Sequence, residues 1–335
     1  MKGKTKMAEI LKHYANLHIH SIHSDGKYTP EELAKIAKDL GYGALAMTDH
    51  DTVTGNAPLK DACDALGLEW IYGAEICARL TTTKKLMHLT AFHFDAEHPP
   101  LKEYLWQMSE RYTGIVKYLF DRAVENGGIT GVTWDEVLEY NKGVTWLCQN
   151  HVLRTMIAKG LLTLSDRTAF YEKNFTDDLK KEAPKAYGFR NAAEMIPMLH
   201  EAGALICVAH PHGYLDEVRY MVEEYGIDGI EVWHGELPAW ERREALKLAL
   251  EYDLYVSGGD DHSSLLGGQY YRFEKPEETK YFFPPRSLGT TRYFFEEIRD
   301  KKKKPDRKAV MKELIDNDEL WQITGGIIDR KEENK

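Results

Sequence analysis

Asn16-Leu17-His18-Ile19-His20-Ser21-Ile22-His23-Ser24-Asp25-Gly26 sets two histidines at alternate positions of a short apolar run and a carboxylate on the segment that follows. Alternate residues of a strand share one face, so His18 and His20 can grip a single metal ion. Asp25 comes next on a loop, where a hard oxygen ligand can turn toward the same cation or hold a second one. The stretch therefore reads as a strand that delivers ligands at its C-terminal end.

Further apolar runs have the look of buried strands: Ala15 to Ile19, Ala44 to Met47, Trp70 to Ile76, Met87 to Phe92, Leu205 to Ala209, Ile227 to Val232 and Leu254 to Ser257. Helical patterns lie between several of them. Thr29-Pro30-Glu31-Glu32 opens one with a cap residue, a first-turn proline and early acids, and Leu33, Ile36, Ala37 and Leu40 supply its inward face before Gly41. Such alternation predicts parallel strands with crossover helices, in an α/β barrel or an open sheet. Polar candidates fall just after the strands, where βα-loops build barrel active sites, and this placement favours the barrel.

From residue 97 to residue 190 the alternation stops, and Leu101 to Val124, Trp134 to Tyr140, Val152 to Leu162 and Arg167 to Phe175 read as helices. We expect a helical insertion over the active site at 97–190, within a catalytic barrel domain made of 1–96 and 191–270. Its aromatic residues, Tyr104, Trp106, Tyr112, Tyr118, Phe120, Trp134 and Trp146, read as core packing. Residues 271–335 read as a charged C-terminal extension packing on the barrel, with a solvated run Lys301-Lys302-Lys303-Lys304 and a flexible tail. No repeat of fixed period is present.

With 335 residues and 43% hydrophobic content, the chain can bury a sizeable core. Its net charge of -10 argues against a surface that coats nucleic acid, so no stable nucleic-acid partner is expected, although clustered cations can still draw in an anionic substrate. Cys63, Cys77, Cys148 and Cys207 form no CxxC pair, which argues against a zinc ribbon or disulfide framework and suits a reducing cytoplasm. The first fifteen residues lack the apolar run of a signal peptide, and no window approaches a membrane span.

Read in order, the strand ends carry His18 and His20, Asp49-His50-Asp51, Glu75, His88, His210, and Asp260-Asp261-His262. One histidine beside an apolar strand means little; recurrence at strand after strand means more. Imidazole with carboxylate suits zinc, manganese or iron. His18, His20, His50, His88, His210 and His262 with Asp25, Glu75 and Asp260 are too many ligands for one ion. They suit two or three divalent ions, with a carboxylate such as Glu75 bridging.

Taken together, HIHSIHSDG, TDHD, the glutamate of YGAEI, the histidine of MHLTAFHFD, AHPHG and SGGDDH resemble the motifs of the polymerase and histidinol phosphatase (PHP) superfamily. The resemblance runs from Asn16 to about His262, interrupted by the insertion, and is nearest to bacterial stand-alone phosphoesterases that include nucleoside bisphosphate phosphatases. It implies a distorted (β/α)7 TIM-like barrel with three metals at the C-terminal ends of its strands. It further implies that His18, His20, Glu75 and Asp260 surround one metal, Glu75, His88 and His210 a second, and Asp25, His50 and His262 a third. The family spacing D-x-H selects Asp260 over Asp261, and Asp51 and His212 look like residues that orient ligands.

Two positions depart from the pattern. Related sequences often carry arginine-proline-histidine at a helix start in the insertion, where this chain has Gln149-Asn150-His151 followed by Arg154. The usual aspartate before the first HxH is Asn16 here.

The chemistry expected is hydrolysis of a phosphate monoester, on a small metabolite or nucleotide. Clustered cations bind phosphoryl oxygens and lower the pKa of a shared water, and the metal-bound water, as hydroxide, attacks phosphorus in line. His210 and His212 are the side chains expected to take part. Because histidine must be neutral to coordinate, activity should fall below roughly pH 6 to 7. His151, Arg154 and Arg190 are candidates for holding the substrate phosphate, with His212 and His234 behind them, whereas His23 and His93 read as structural. Alternatives are a 5′-3′ exonuclease on short RNA or DNA, an amidohydrolase-type C–N hydrolase, and a non-catalytic metal-binding module. The partner expected is a small phosphorylated substrate or short oligonucleotide, without a membrane.

Overall fold

The computed structural model describes residues 13–184, 188–261 and 288–318. Nine strands among these residues form two sheets. The first has β1 (His13–Asn16), β2 (Ala44–Ala46), β3 (Glu69–Ile71) and β9 (Thr290–Thr291) in the order β3-β2-β1-β9. The second has β4 (Gly73–Arg79), β5 (Leu86–Phe92), β6 (Leu205–Val208), β7 (Gly229–Trp233) and β8 (Tyr255–Gly258) in chain order.

The expected strand over Trp70 to Ile76 divides at Tyr72 between the two sheets. Asn56 contributes to the division: its side chain accepts from Gly73 N at 3.0 Å and donates to Gly73 O at 2.8 Å, taking both main-chain groups of the first β4 residue. Pairing also departs from the uniformly parallel expectation, because β5 runs antiparallel to both β4 and β6. The connection Leu80–Lys85 is too short for a crossover helix, so these strands must form a hairpin. The short β9 also runs antiparallel to β1, while β1/β2, β2/β3, β6/β7 and β7/β8 are parallel.

Ladder pairing among the described residues leaves two sheets rather than one closed barrel. The sheets approach at strand ends through isolated bridges, Ile19 to Asp261 and His50 to Glu75. Both bridges lie at residues that carry the site.

The helix α1 (Pro30–Leu40) forms as its sequence dictates: Thr29 and Glu32 make a reciprocal capping box, and Gly41 closes it in the left-handed region at φ 83°. Its buried Leu33, Ala34 and Ala37 pack with Leu59 and Cys63 of α2 (Asn56–Leu66). The next helices are α3 (Pro99–Glu125), α4 (Trp134–Tyr140), α5 (Gln149–Ala158), α6 (Arg167–Asn174) and α7 (Asp177–Lys181). They gather a hydrophobic cluster of their own around Phe120, Val137, Val152, Met156 and Phe170. Trp106 departs from the core reading, being 58% exposed.

Helices α8 (Ala192–Glu201), α9 (Leu215–Tyr225) and α10 (Ala239–Glu251) alternate with the second sheet, and α11 (Arg292–Asp300) and α12 (Arg307–Ile315) follow β9. Phe294, Val310, Met311 and Leu314 join the large core beside β6, β7 and β8. The lysine run is docked rather than simply solvated: Lys301 Nζ donates to Gly203 O at 2.6 Å, and Lys304 Nζ pairs with Glu296 at 2.7 Å. Residues 319–335, and with them the expected flexible tail, lie outside the described residues. Among the described residues no helix is long and apolar enough to cross a membrane.

Candidate metal centre

Glu75 lies on β4, fully buried, and its carboxylate touches the imidazoles of five histidines from four different segments. Oε1 lies 3.2 Å from His18 Nε2, 3.1 Å from His88 Nδ1 and 3.1 Å from His210 Nε2. Oε2 lies 3.1 Å from His20 Nε2 and 3.0 Å from His50 Nδ1. Strand geometry produces this gathering. His18 and His20 follow β1 two residues apart, His50 follows β2 and bridges to Glu75, His88 lies on the neighbouring β5, and His210 follows β6.

The backbone is held tightly enough to aim these rings. A side chain at Gly26 would place its Cβ 2.1 Å from His20 O, and one at Gly259 would place it 2.3 Å from His18 Cβ, so only glycine lets both loops close on the histidines. Asp51, His210 and Asp261 adopt left-handed φ of 47°, 28° and 52°. Such conformations are costly for residues with a Cβ, and these three lie at the centre, while Lys84, His93, Asp253 and Lys301 adopt them elsewhere. Asp49, buried, accepts from Ser21 N at 2.7 Å, Ser21 Oγ at 2.8 Å and Ser24 Oγ at 2.7 Å, which fastens the loop between His20 and Asp25.

Asp261 completes the front of the site, 2.9 Å from His20 Nε2 and 3.4 Å, through its other oxygen, from His234 Nε2. Of the two adjacent acids, Asp261 is the one whose Oδ1 lies against the histidines, 3.9 Å from His18 Nε2 as well as close to His20. Asp260 turns back onto Asn16, whose Nδ2 donates to it at 2.7 Å while Asn16 Oδ1 accepts from the amides of His18 and Asp260. The backbone twist at Asp261 separates the directions of the two carboxylates. Asp25 approaches His20 Nδ1 at 3.6 Å and His50 Nε2 at 3.8 Å, and His262 lies outside the described residues.

Charges in the centre are strongly coupled. Burial alone would raise Glu75, but His18, His88 and His50 outweigh it and hold the carboxyl well below its ordinary range. Burial would lower the histidines, yet Asp261 and Glu75 push His20 up to about 10, and Glu75 pushes His210 up to about 9. Asp25 and Asp260 are each pushed up to about 7, chiefly by burial. Each shifted histidine marks a place where the carboxylates call for positive charge.

The donor set fits divalent cations. His18 Nε2 and Glu75 Oε2 are buried and make no hydrogen bond despite their close neighbours, as expected of atoms shaped for a ligand other than a proton donor. Ligand atoms of His18, His20, Glu75 and Asp261 lie within 4.8 Å of one another, as do those of Glu75, His88 and His210, and those of His20, Asp25 and His50. Nitrogen and oxygen donors in this mixture suit borderline metals.

Other residues anticipated from the sequence are placed differently. His151 is fully buried: Nδ1 accepts from Cys148 N at 2.8 Å and Nε2 donates to Ile22 O at 2.9 Å, so both ring nitrogens serve the chain rather than a substrate phosphate. Burial lowers its pKa to about 4. Arg190 stacks its guanidinium on the Tyr104 ring, 5.2 Å from the centroid, and makes no ion pair among the described residues. Arg154 is half-buried near His23 and His151. His212 is 53% exposed, with Nδ1 2.5 Å from Glu241, a buried carboxylate that also accepts from Gly213 N at 3.0 Å.

Sequence reasoning passed over Glu231, Glu241 and Cys77. Glu231 is buried on β7, with both carboxylate oxygens 3.2 Å from His18 Nδ1 and Oε2 2.8 Å from His210 N, and it fixes both histidines from behind. The signal was present, because Glu231 stands between Ile230 and Val232 in the run Ile227 to Val232, where a buried carboxylate needs a partner. Glu241 gave no such signal in a charged helix, and Cys77 was weighed only for pairing with other cysteines.

Comparison with known proteins bears on this geometry. Residues 16–152 match the family model described as PHP domain. A phosphoribosyl 1,2-cyclic phosphate 1,2-diphosphodiesterase of Eggerthella lenta is 26% identical over 75% of this chain and 95% of its own. The 5′-3′ exoribonuclease Rnm of Escherichia coli is 27% identical over 73% of this chain and 84% of its own. A 3′,5′-nucleoside bisphosphate phosphatase of Chromobacterium violaceum is 25% identical over 76% and 89%. In fold, the chain is similar to a solved structure from Bifidobacterium adolescentis proposed to be a metal-dependent phosphoesterase, with a TM-score of 0.64 and 24% identity over 88% of this chain and 98% of that one.

Proposed function

We propose that this chain, whose residues 16–152 match the PHP domain model, is a metal-dependent phosphoesterase that hydrolyses a phosphate monoester of a small metabolite or nucleotide. The observation that carries this reading is the single buried carboxylate of Glu75 shared among His18, His20, His50, His88 and His210. A carboxylate so placed would serve as a ligand common to neighbouring ions. We assign His18, His20, Glu75 and Asp261 to one ion, Glu75, His88 and His210 to a second, and Asp25 with His50 to a third, each manganese, zinc or iron.

When bound, such ions polarise phosphoryl oxygens and supply an activated water. The protein's part is to place and exclude. Glu231 and Asp49 hold the ligand loops still, and Glu231 fixes the His18 ring by bonding Nδ1. His212 keeps Nδ1 on Glu241, and its Nε2 makes no hydrogen bond among the described residues, so that nitrogen can pass a proton to the departing alkoxide. The dianionic substrate finds its counter-charge in the cations, which lets a chain of net charge -10 accept it.

We further read β2-β1-β8-β7-β6-β5-β4 as a distorted seven-stranded barrel with residues 97–190 inserted over its mouth. The bridges Ile19 to Asp261 and His50 to Glu75 support it, as does the placing of ligands after β1, β2, β6 and β8. A second reading, stepwise 5′-3′ trimming of short RNA, is favoured by the Escherichia coli relative. A panel of nucleoside monophosphates, 3′,5′-bisphosphates, cyclic phosphates and short oligonucleotides, offered to protein reloaded with each metal, separates them. Monoesters should be cleaved and oligonucleotides left whole. Hydrolysis that survives His20→Ala together with Glu75→Ala would overturn the metal mechanism.

A further inference from the structure

Cys77 lies two residues beyond Glu75 on β4, so its side chain shares the face that builds the centre. Register puts it opposite His88 on β5, the cross-strand arrangement in which side chains sit closest. Its Sγ is 3.7 Å from His50 Nδ1, and the hydroxyl of Tyr112, from α3, covers it at 3.8 Å. Donor atoms of His50, Cys77 and His88 all lie within 4.8 Å of one another. Nitrogen and sulfur ligands of one tetrahedral zinc ion stand about 3.5 Å apart, given bond lengths of about 2.0 and 2.3 Å.

We propose that Cys77 is itself a metal ligand, contributing a thiolate to an ion held by His50 Nδ1 and His88, in place of the division of those two histidines between separate ions, and biasing the centre toward zinc over manganese. This rests on the phosphoesterase reading insofar as that reading places cations beside Glu75. As the metal–sulfur bond forms, the thiol proton passes to bulk water and the charge of the ion is partly neutralised. Thiolate is the soft member of an otherwise nitrogen and oxygen set, and softness selects zinc against manganese. The amide of Cys77 donates to Asp51 Oδ1 at 3.0 Å, which locks the residue in place. Cys63, Cys148 and Cys207 are equally buried yet belong to no such group among the described residues, which makes them internal controls.

The test is cobalt(II) loading of the metal-free, full-length protein, followed by absorption spectroscopy. A thiolate-to-cobalt charge-transfer band in the near ultraviolet is expected in the unaltered chain. It should persist when Cys63, Cys148 and Cys207 are all replaced by alanine and vanish in Cys77→Ser. In zinc and manganese competition read by elemental analysis, Cys77→Ser should shift the bound ratio about tenfold toward manganese. Because the band is read first on the unaltered chain, a folding defect in Cys77→Ser does not decide the outcome. Cobalt bound with visible d–d absorption but no charge-transfer band would overturn this proposal and leave the phosphoesterase reading standing; no cobalt bound at all would overturn both.

Discussion

Asn150 Nδ2 donates to the carbonyl oxygen of Asp25 at 2.6 Å, tying the start of α5 in the insertion to the loop that carries a candidate ligand. His151 Nε2 reaches Ile22 O from the same helix end, and Cys148 Sγ reaches Ser24 O at 3.7 Å. Tyr171 donates to Asn150 Oδ1 and fixes the amide from the far side. Residues 148–151 therefore clasp the carbonyls of Ile22, Ser24 and Asp25.

Asn150→Ala removes one strand of that clasp and leaves the insertion's hydrophobic cluster untouched. A single hydrogen bond contributes about 1 kcal/mol, so the loop loosens without the fold failing. Bound metal per chain should fall, and turnover at fixed metal concentration should drop roughly fivefold, with a melting temperature within about 3 °C of the unaltered protein. Elemental analysis beside a melting curve checks this. Full metal content with unchanged turnover would show that Asp25 keeps its position without Asn150.

His151→Ala should act the other way round. Deleting the ring leaves Cys148 N and Ile22 O without their partners in a buried place, which costs about 1–3 kcal/mol for each group left unsatisfied. Denaturant midpoints should fall markedly while KM for a phosphate monoester, measured on the folded enzyme, stays nearly constant. A raised KM at unchanged stability would restore the phosphate-binding role that the buried ring now argues against.

What the sequence revealed and concealed follows from which interactions are local. Thr29, Pro30, Glu32 and Gly41 specify α1 through contacts a few residues apart, and HxH at period two specifies a shared face. The gathering at Glu75 was legible because its partners recur in or just after apolar runs. The choice between Asp260 and Asp261 depends on one left-handed φ, and the role of His151 on a carbonyl 129 residues away. Neither leaves a trace in spacing. The hairpin β4/β5 was hidden by a uniform apolar pattern, which reads alike for parallel and antiparallel neighbours.

Asn16→Asp would restore the acid usual at this position but oppose it to Asp260. Asn16 now donates to Asp260 Oδ1 at 2.7 Å, and a carboxylate there has no proton to give unless one is shared. Asp260 is already pushed up to about 7 by burial, and a second negative charge pushes it further. Carboxyls with raised folded pKa stabilise at low pH and lose that contribution as pH rises through the folded value. Stability of the metal-free variant should match the unaltered protein only below the ordinary carboxyl value of 3.8, at about pH 3.5, and fall below it by about 1–3 kcal/mol at pH 8. Urea unfolding at both pH values checks the sign. An equal loss at about pH 3.5 would mean that packing, not charge, is responsible.

The same linkage predicts how the metal-free protein responds to pH and how metal reverses it. His20, pushed up to about 10, and His210, pushed up to about 9, contribute stability that is full below their ordinary 6.5 and is lost as pH climbs through those values. Asp25 and Asp260, at about 7 against 3.8, add a loss that begins at lower pH as their burial becomes burial of charge. The melting temperature without metal should therefore decline steadily from pH 6 to pH 10. Coordinating imidazoles must give up these protons, so zinc uptake at pH 7 should release acid into weakly buffered solution, and zinc should raise the melting temperature more at pH 8 than at pH 6. Calorimetric titrations in buffers of different ionisation enthalpy measure the protons released, and thermal scans measure the rest. A metal-free melting temperature that climbs between pH 6 and pH 9 would mean that the carboxylates around Glu75 do not hold protons on these histidines.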